Sequence, residues 1–176
     1  MQQTINRVNP EQHLIGPEGY FPNNAEFPAL HYKSAFDIGD KLADMMEETF
    51  SEHKWTNAWR NGIYDYHHYH STAHEVLGVY SGHCKVQLGG TAGTILELNE
   101  GDVIALPAGV AHKNVGCSAD FKCIGAYAGG MDYDMNYGKP EEIKKAKKNI
   151  SKLPLPEKDP VYGEDGPLEE IWNRKK

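Results

Sequence analysis

Four of the nine histidines in this 176-residue chain fall within one short stretch, at His67, His68, His70 and His74. His68 and His70 are two residues apart. On an extended strand that spacing puts both side chains on one face, with Cα atoms about 6–7 Å apart, close enough for both imidazoles to reach one ion. Ser71 to His74 suffice to turn the chain back, so Glu75 can approach the same point from the next strand. A fourth donor follows in Gly101-Asp-Val-Ile-Ala-Leu-Pro107-Ala-Gly109-Val-Ala-His112, where Gly101 leads into a strand, Pro107 and Gly109 shape a tight connection and His112 starts the returning strand. Three imidazoles and one carboxylate make a donor set of intermediate hardness. Such a set suits one divalent transition metal, Fe, Mn, Ni, Zn or Cu, better than Ca or Mg.

Strand parity sorts the neighbours. His67 lies on the face opposite His68 and His70 and is excluded as a ligand. His74 should point away from Glu75 once the new strand has begun, which suggests a place beside the metal ligands or at the rim. Tyr64 and Tyr66 share the parity of His68, so both are expected to point inward, and Tyr127 on the last strand is grouped with them. Their hydroxyls could orient a bound small molecule, although aromatic residues also simply fill small barrels.

The elements that must position these groups follow from pattern. Residues 63–70, 75–81, 84–88, 94–98, 102–106, 112–116 and 121–127 read as short strands, separated by turn sequences such as Ser81-Gly82, Gly89-Gly90-Thr-Ala-Gly93 and Asn99-Glu-Gly101. Many short strands at even spacing, without helices between them, indicate a sandwich or barrel rather than a doubly wound sheet. Upstream, residues 1–33 are broken by Pro, Gly and Asn and read as an extended arm whose aromatic residues should pack on the barrel or on a neighbouring subunit. Residues 34–59 read as helical, with Ser34 and Asp37 resembling a capping pair and Leu42, Met45, Met46 and Phe50 forming an apolar face. Downstream, a short helix is expected from Pro140, with its acids first and its lysines last. Leu168, Ile171 and Trp172 could dock as an apolar patch. The expected organisation is one structural domain: an arm and helix over 1–60, a barrel core over 61–130, and a helix and tail over 131–176.

Two segments resemble the paired motifs of the cupin superfamily. Gly62, His68, His70, Glu75 and Gly82 fill the first, and Gly101, Pro107, Gly109 and His112 fill the second. The family pattern often ends in Asn four residues after the last histidine. Here Gly116 holds that position, with Asn114 two residues earlier. Beyond the motifs, Phe21-Pro-Asn-Asn24, the run Trp59 to Ser71, Gly125-Ala-Tyr127 and Asp159-Pro-Val-Tyr-Gly163 are similar to the YjlB-like subgroup of small bacterial cupins. The resemblance implies an all-β, RmlC-like fold, a double-stranded β-helix or jelly-roll barrel, with the N-terminal and short C-terminal helices added. It also implies a metal held by His68, His70, Glu75 and His112, and commonly a homodimer.

A six-coordinate ion with four protein ligands keeps two positions for water, O2 or a bidentate substrate. The expected function is therefore a metal-dependent enzyme, a dioxygenase or an isomerase/lyase, acting on a small polar molecule. The alternative is a non-catalytic small-molecule binding or sensing protein, since fold does not fix function. A metal-free sugar epimerase would need a His–Asp base pair in place of the metal.

Bulk properties narrow the partners. With 18 basic and 25 acidic residues the net charge is -7, which offers no counterion-release gain on nucleic acid. The run Lys144 to Lys148 reads as a solvated helix face. Cys84, Cys117 and Cys123 show no Cys-x-x-Cys spacing and fit a reducing cytoplasm. The N-terminus lacks the apolar run of a signal peptide, and no apolar stretch approaches the roughly 18 residues of a membrane span. A cytoplasmic protein is expected.

Overall fold

The computed structural model describes residues 2–173. Nine strands run in chain order as β1 (Glu11–Ile15), β2 (Asn24–Tyr32), β3 (Trp55–Asn61), β4 (Glu75–Ser81), β5 (His83–Leu88), β6 (Thr94–Asn99), β7 (Val103–Leu106), β8 (His112–Cys117) and β9 (Lys122–Ala128). Helix α1 (Leu42–Glu52) lies between β2 and β3, and α2 (Ile143–Lys152) and α3 (Leu168–Trp172) follow β9. The strands form a six-stranded sheet ordered β1-β2-β7-β4-β9-β3 and a three-stranded sheet ordered β6-β5-β8, and every strand pairing is antiparallel. The fold is all-β, two antiparallel sheets in an arrangement compatible with a jelly roll, with few helices.

Alternation along the central strands builds two apolar layers. Leu77 and Val79 of β4 face inward and pack with Val86, Leu98, Ile104 and Leu106 between the sheets. Val76 faces outward and joins Val103, Ala105, Ile124 and Ala126. A strand apolar on both faces must be covered on both. The outer cover comes from Leu42, Met46 and Phe50 of α1 and from Leu168, Ile171 and Trp172 of α3, all buried. Gly78 permits the α1 contact, because a Cβ there would lie 2.8 Å from the Met46 sulfur and 3.0 Å from the Phe50 ring.

Three sequence expectations need correction. The segment 34–59 is helical only over Leu42–Glu52. Ser34 has φ +52° and cannot start a helix, while the Asp37 carboxylate accepts hydrogen bonds from Thr4 and Asn6. Positive φ at Lys54 and Asn57 ends the helical run, and pairing of β3 with β9 claims residues 55–61. The expected strand at 63–70 is instead an irregular extended segment, held by isolated bridges from His68 to His112 and from Tyr69 to Asn136. The arm does more than pack on the barrel: it supplies β1 and β2, and β2 pairs directly with β7.

Candidate metal centre

Glu75 opens β4 and is flanked by Leu106 of β7 and Tyr127 of β9. His112 opens β8 in the other sheet. The irregular segment carrying His68 and His70 is pinned across the gap between them. The His68 and His112 amides exchange hydrogen bonds with each other's carbonyls, and the Gly109 amide donates to the His70 carbonyl at 2.8 Å. Gly109 has φ +97°, and a Cβ there would lie 2.3 Å from the Asn23 carbonyl oxygen, so the turn before His112 requires glycine.

The four expected ligands come together. All four are buried, and one ring nitrogen from each of His68, His70 and His112 lies within 4.8 Å of the others. Glu75 approaches His112 Nε2 at 3.2 Å and His70 Nε2 at 3.7 Å. The opposite ring nitrogens are all spoken for. His68 Nδ1 meets the Tyr66 carbonyl at 3.0 Å, His112 Nδ1 the Val110 carbonyl at 3.0 Å, and His70 Nδ1 the Asp134 carbonyl at 2.6 Å. A carbonyl can only accept, so each Nδ1 carries a proton, and each ring in its neutral form leaves the Nε2 lone pair bare to ligate. Glu75 Oε1 has no hydrogen-bond partner. Three lone pairs and a carboxylate converging in a buried site repel one another unless a cation sits among them. The donors present therefore fit the metal that the sequence implies.

The electrostatics agree. Burial pushes the His68 imidazole down to about 3, with the neighbouring His112 adding to the effect. Burial would raise Glu75, but the neighbouring His70 and His112 imidazoles outweigh it and bring the carboxyl below its ordinary value. Burial would likewise lower His70, yet the Glu75 charge brings it above its ordinary value. The carboxylate is thus present as an anion at neutral pH, the form in which it can ligate.

A cavity of about 340 Å³ opens above the cluster, with His68, His70, Glu75 and His112 in its wall. The three tyrosines singled out by parity divide. Tyr127 is buried and lines the cavity, and its hydroxyl accepts a hydrogen bond from Trp59 Nε1 at 2.9 Å. Burial first, and the Glu75 charge second, push its phenol far up, so it keeps its proton. Tyr64 and Tyr66 do meet the His68 ring, in edge-on contacts. They are 56% and 39% exposed, stacked on each other at the mouth rather than pointing into the barrel. The cause is the lost strand: residues 62–67 run outside any ladder. Tyr133, missed from the sequence, stacks on Tyr127 and presents an edge to His70.

His74 turns away from Glu75, as parity requires, but reaches neither the cavity nor its rim. It lies on the outer face against Trp172 and Phe27. Its Nδ1 accepts the Ala108 amide at 2.9 Å, which braces the turn leading to His112. Nε2 then carries the proton and faces the Pro154 carbonyl without closing a hydrogen bond, and burial pushes the ring down to about 4.

Other supporting residues also escaped the sequence reading. Asp134 takes the Ser71 amide and hydroxyl on its carboxylate while its carbonyl fixes His70. Burial would raise that carboxyl, but the Ser71 hydrogen bonds hold it below its ordinary value. Asn23 accepts the Ala111 amide and donates to the Gly16 and Gly89 carbonyls, and Asn24 donates to the Ala108 carbonyl.

No family model matches the chain. The uncharacterized protein YjlB of Bacillus subtilis (strain 168) is 41% identical to it over 162 residues, 92% of this chain and 96% of that protein. Among solved structures, acireductone dioxygenase from Bacillus anthracis with a cadmium ion in its active centre aligns over 49% of this chain and 57% of its own, at 19% identity and a TM-score of 0.34. The dTDP-6-deoxy-D-glucose-3,5-epimerase RmlC from Legionella pneumophila Philadelphia 1 aligns over 70% of this chain and 74% of its own, at 15% identity and a TM-score of 0.38. The chain belongs to the same family as YjlB. Among the described residues no helix is long and apolar enough to cross a membrane.

Proposed function

We propose that this YjlB-family cupin holds one divalent transition metal on His68, His70, Glu75 and His112 and uses it as an enzyme, of dioxygenase or isomerase/lyase type, on a small polar molecule bound in the cavity above. The observation that carries the proposal is the orientation of the three imidazoles. Every Nδ1 is tied back to a carbonyl, the Nε2 atoms of His70 and His112 face Glu75, and a nitrogen of His68 lies within 4.8 Å of theirs. A bound metal of this class would supply Lewis-acid polarisation or redox chemistry at the cavity wall.

The rest of the cavity supports dependence on that centre. Apart from the four proposed ligands, its ionisable lining is phenolic (Tyr64, Tyr127, Tyr133) plus Arg60. The Arg60 guanidinium is already paired with Asp44 and Glu47 at 2.9 Å each. No spare carboxylate or imidazole lines the cavity among the described residues to act as an independent acid or base. A ligand would meet the protonated Tyr127 hydroxyl as a donor and aromatic faces along the wall. The buried His–Asp pair that a metal-free epimerase would use occurs as His31–Asp102, and neither residue lines the cavity.

The same scarcity of acid–base groups favours a second reading, a protein that binds a small molecule at the metal without converting it. One experiment separates the two. Untagged protein is analysed for metal, stripped, reloaded with Fe, Mn, Ni, Zn or Cu singly, and incubated with a metabolite panel while products are followed by mass spectrometry. Turnover lost on chelation, restored by one metal and absent in His68→Ala supports the enzyme. Ligand retention without product supports the binder. Failure to hold metal at all, with folded protein, sinks both.

A further inference from the structure

A second cluster of ligating side chains lies outside the cavity, on the edge of the large sheet. Glu11 and His13 alternate on β1 and so share one face. In the register of β1 with β2, Glu11 stands directly opposite His31, and His13 stands opposite Ala29. One ligating atom from each of Glu11, His13 and His31 lies within 4.8 Å of the other two.

The hydrogen bonding leaves donors free on each side. His31 is buried, and its Nε2 lies 2.9 Å from Asp102 Oδ2. Asp102 also accepts the Ser34 and Asn99 amides, and those contacts, against the opposing effect of burial, keep its carboxyl below the ordinary range. An ionised carboxylate only accepts, so the His31 proton sits on Nε2 and the lone pair sits on Nδ1. That Nδ1 is buried and has no partner, and neither has His13 Nε2. Glu11 keeps one oxygen on Lys33 at 2.9 Å and turns the other to His13 Nε2 at 3.7 Å. An imidazole fixed from behind by a carboxylate, with its other nitrogen bare, is the arrangement that orients and strengthens a metal-ligating histidine.

We infer that Glu11, His13 and His31 form a second metal site, separate from the barrel centre, for a borderline divalent cation of the zinc class. Two imidazole nitrogens and one carboxylate oxygen match the donors zinc takes. The half-exposed Glu11 leaves the remaining position to solvent. The exposed Lys33–Glu11 pair is a weak competitor, because a solvated ammonium contact of this kind contributes little. Occupancy would clip the edge strand β1 onto β2, at the point where the arm joins the sheet.

The test counts zinc on untagged full-length protein, stripped with chelator and dialysed to equilibrium against buffered micromolar Zn2+. The wild type is expected to hold two zinc ions per chain. His13→Ala should hold one, and Glu11→Ala, at an exposed position where folding is not at risk, should also hold one. His112→Ala should likewise hold one, because it removes the barrel site and leaves this one. In the His112→Ala background, added zinc should still raise the melting temperature, and the further change His13→Ala should abolish that rise. Equal zinc counts in wild type, His13→Ala and Glu11→Ala would overturn the inference. A count unchanged by His112→Ala would instead strike the barrel centre, so the two failures are distinguishable.

Discussion

Replacing His74 by phenylalanine separates the two things this ring does. The Ala108 amide loses its acceptor in a buried place, a loss that costs about 1–3 kcal/mol. The aromatic contacts with Phe27 and Trp172 are ones a phenyl ring can keep. At pH 7.5 the variant should therefore be less stable than the wild type by that amount. The order should change in acid. The wild-type ring titrates at about 4 in the folded protein and at roughly 6.5 when unfolded. Its folded value is depressed, so the neutral ring contributes stability that is intact above the unfolded value and is lost as pH falls towards the folded one. Linkage across that gap gives a loss of about 2.5 kcal/mol between pH 7.5 and pH 4.5. The phenylalanine variant has no such ring to protonate, so its stability should fall less by about that amount.

The assay is urea unfolding of metal-free protein at the two pH values, with identical chelator, comparing wild type with variant. Taking the difference cancels the remaining titrating groups, including His68, which is depressed in the same sense. A deficit of about 1–3 kcal/mol at pH 7.5 should shrink to near zero or reverse at pH 4.5. Parallel stability curves would refute the argument, because they would mean that His74 can take a proton in the folded state without penalty.

Other substitutions test neighbouring parts of the structure. Asp134→Ala removes the carboxylate that holds Ser71 and frees the carbonyl that orients His70; metal affinity should fall about 10–100-fold in a chelator competition, and an unchanged affinity would show that His70 is held otherwise. Gly125→Ala places a Cβ 2.2 Å from the Trp59 indole, an overpacking expected to cost about 1–3 kcal/mol in denaturant unfolding, unless Trp59 can swing aside and leave stability unchanged. Tyr127→Phe leaves the Trp59 N–H without its acceptor; stability should drop by about 1 kcal/mol while the metal count stays at the wild-type value. A lost metal equivalent there would make the phenol a ligand.

What the sequence made legible was the set of positions whose geometry is local. Parity put His68 and His70 on one side of the chain and His67 on the other, and the structure sets His67 against Phe21, away from the cluster. Parity survived even though the predicted strand did not, because the segment stays extended between its bridges to His112 and Asn136. Parity could not reveal that residues 62–67 leave the sheet, so it brought Tyr64 and Tyr66 inside when they stand at the mouth. The apolar face over 42–50 was visible from its spacing, but the limits of α1 were not. They are set by positive φ at Lys54 and Asn57 and by pairing of Trp55 with Ala128, a residue 73 positions away in the chain.

The groups that brace the proposed ligands were illegible for the same reason. Asp134, Asn23 and Asn24 belong to no spacing pattern. Each acts on chain 63 to 88 residues distant. A polar residue near a turn reads as turn chemistry, and only the fold shows that its side chain closes a buried amide elsewhere. The arm misled in a second way. Pro, Gly and Asn broke its pattern, yet Ala29, Leu30 and Tyr32 are fully buried in the large sheet. Placing β2 in that sheet is what brings His31 beside Asp102 and turns Glu11 and His13 towards it. Three side chains that share no motif thereby become a candidate ligand set. The barrel centre is encoded in two short motifs legible in the sequence, whereas the edge cluster is encoded only in the pairing of two strands.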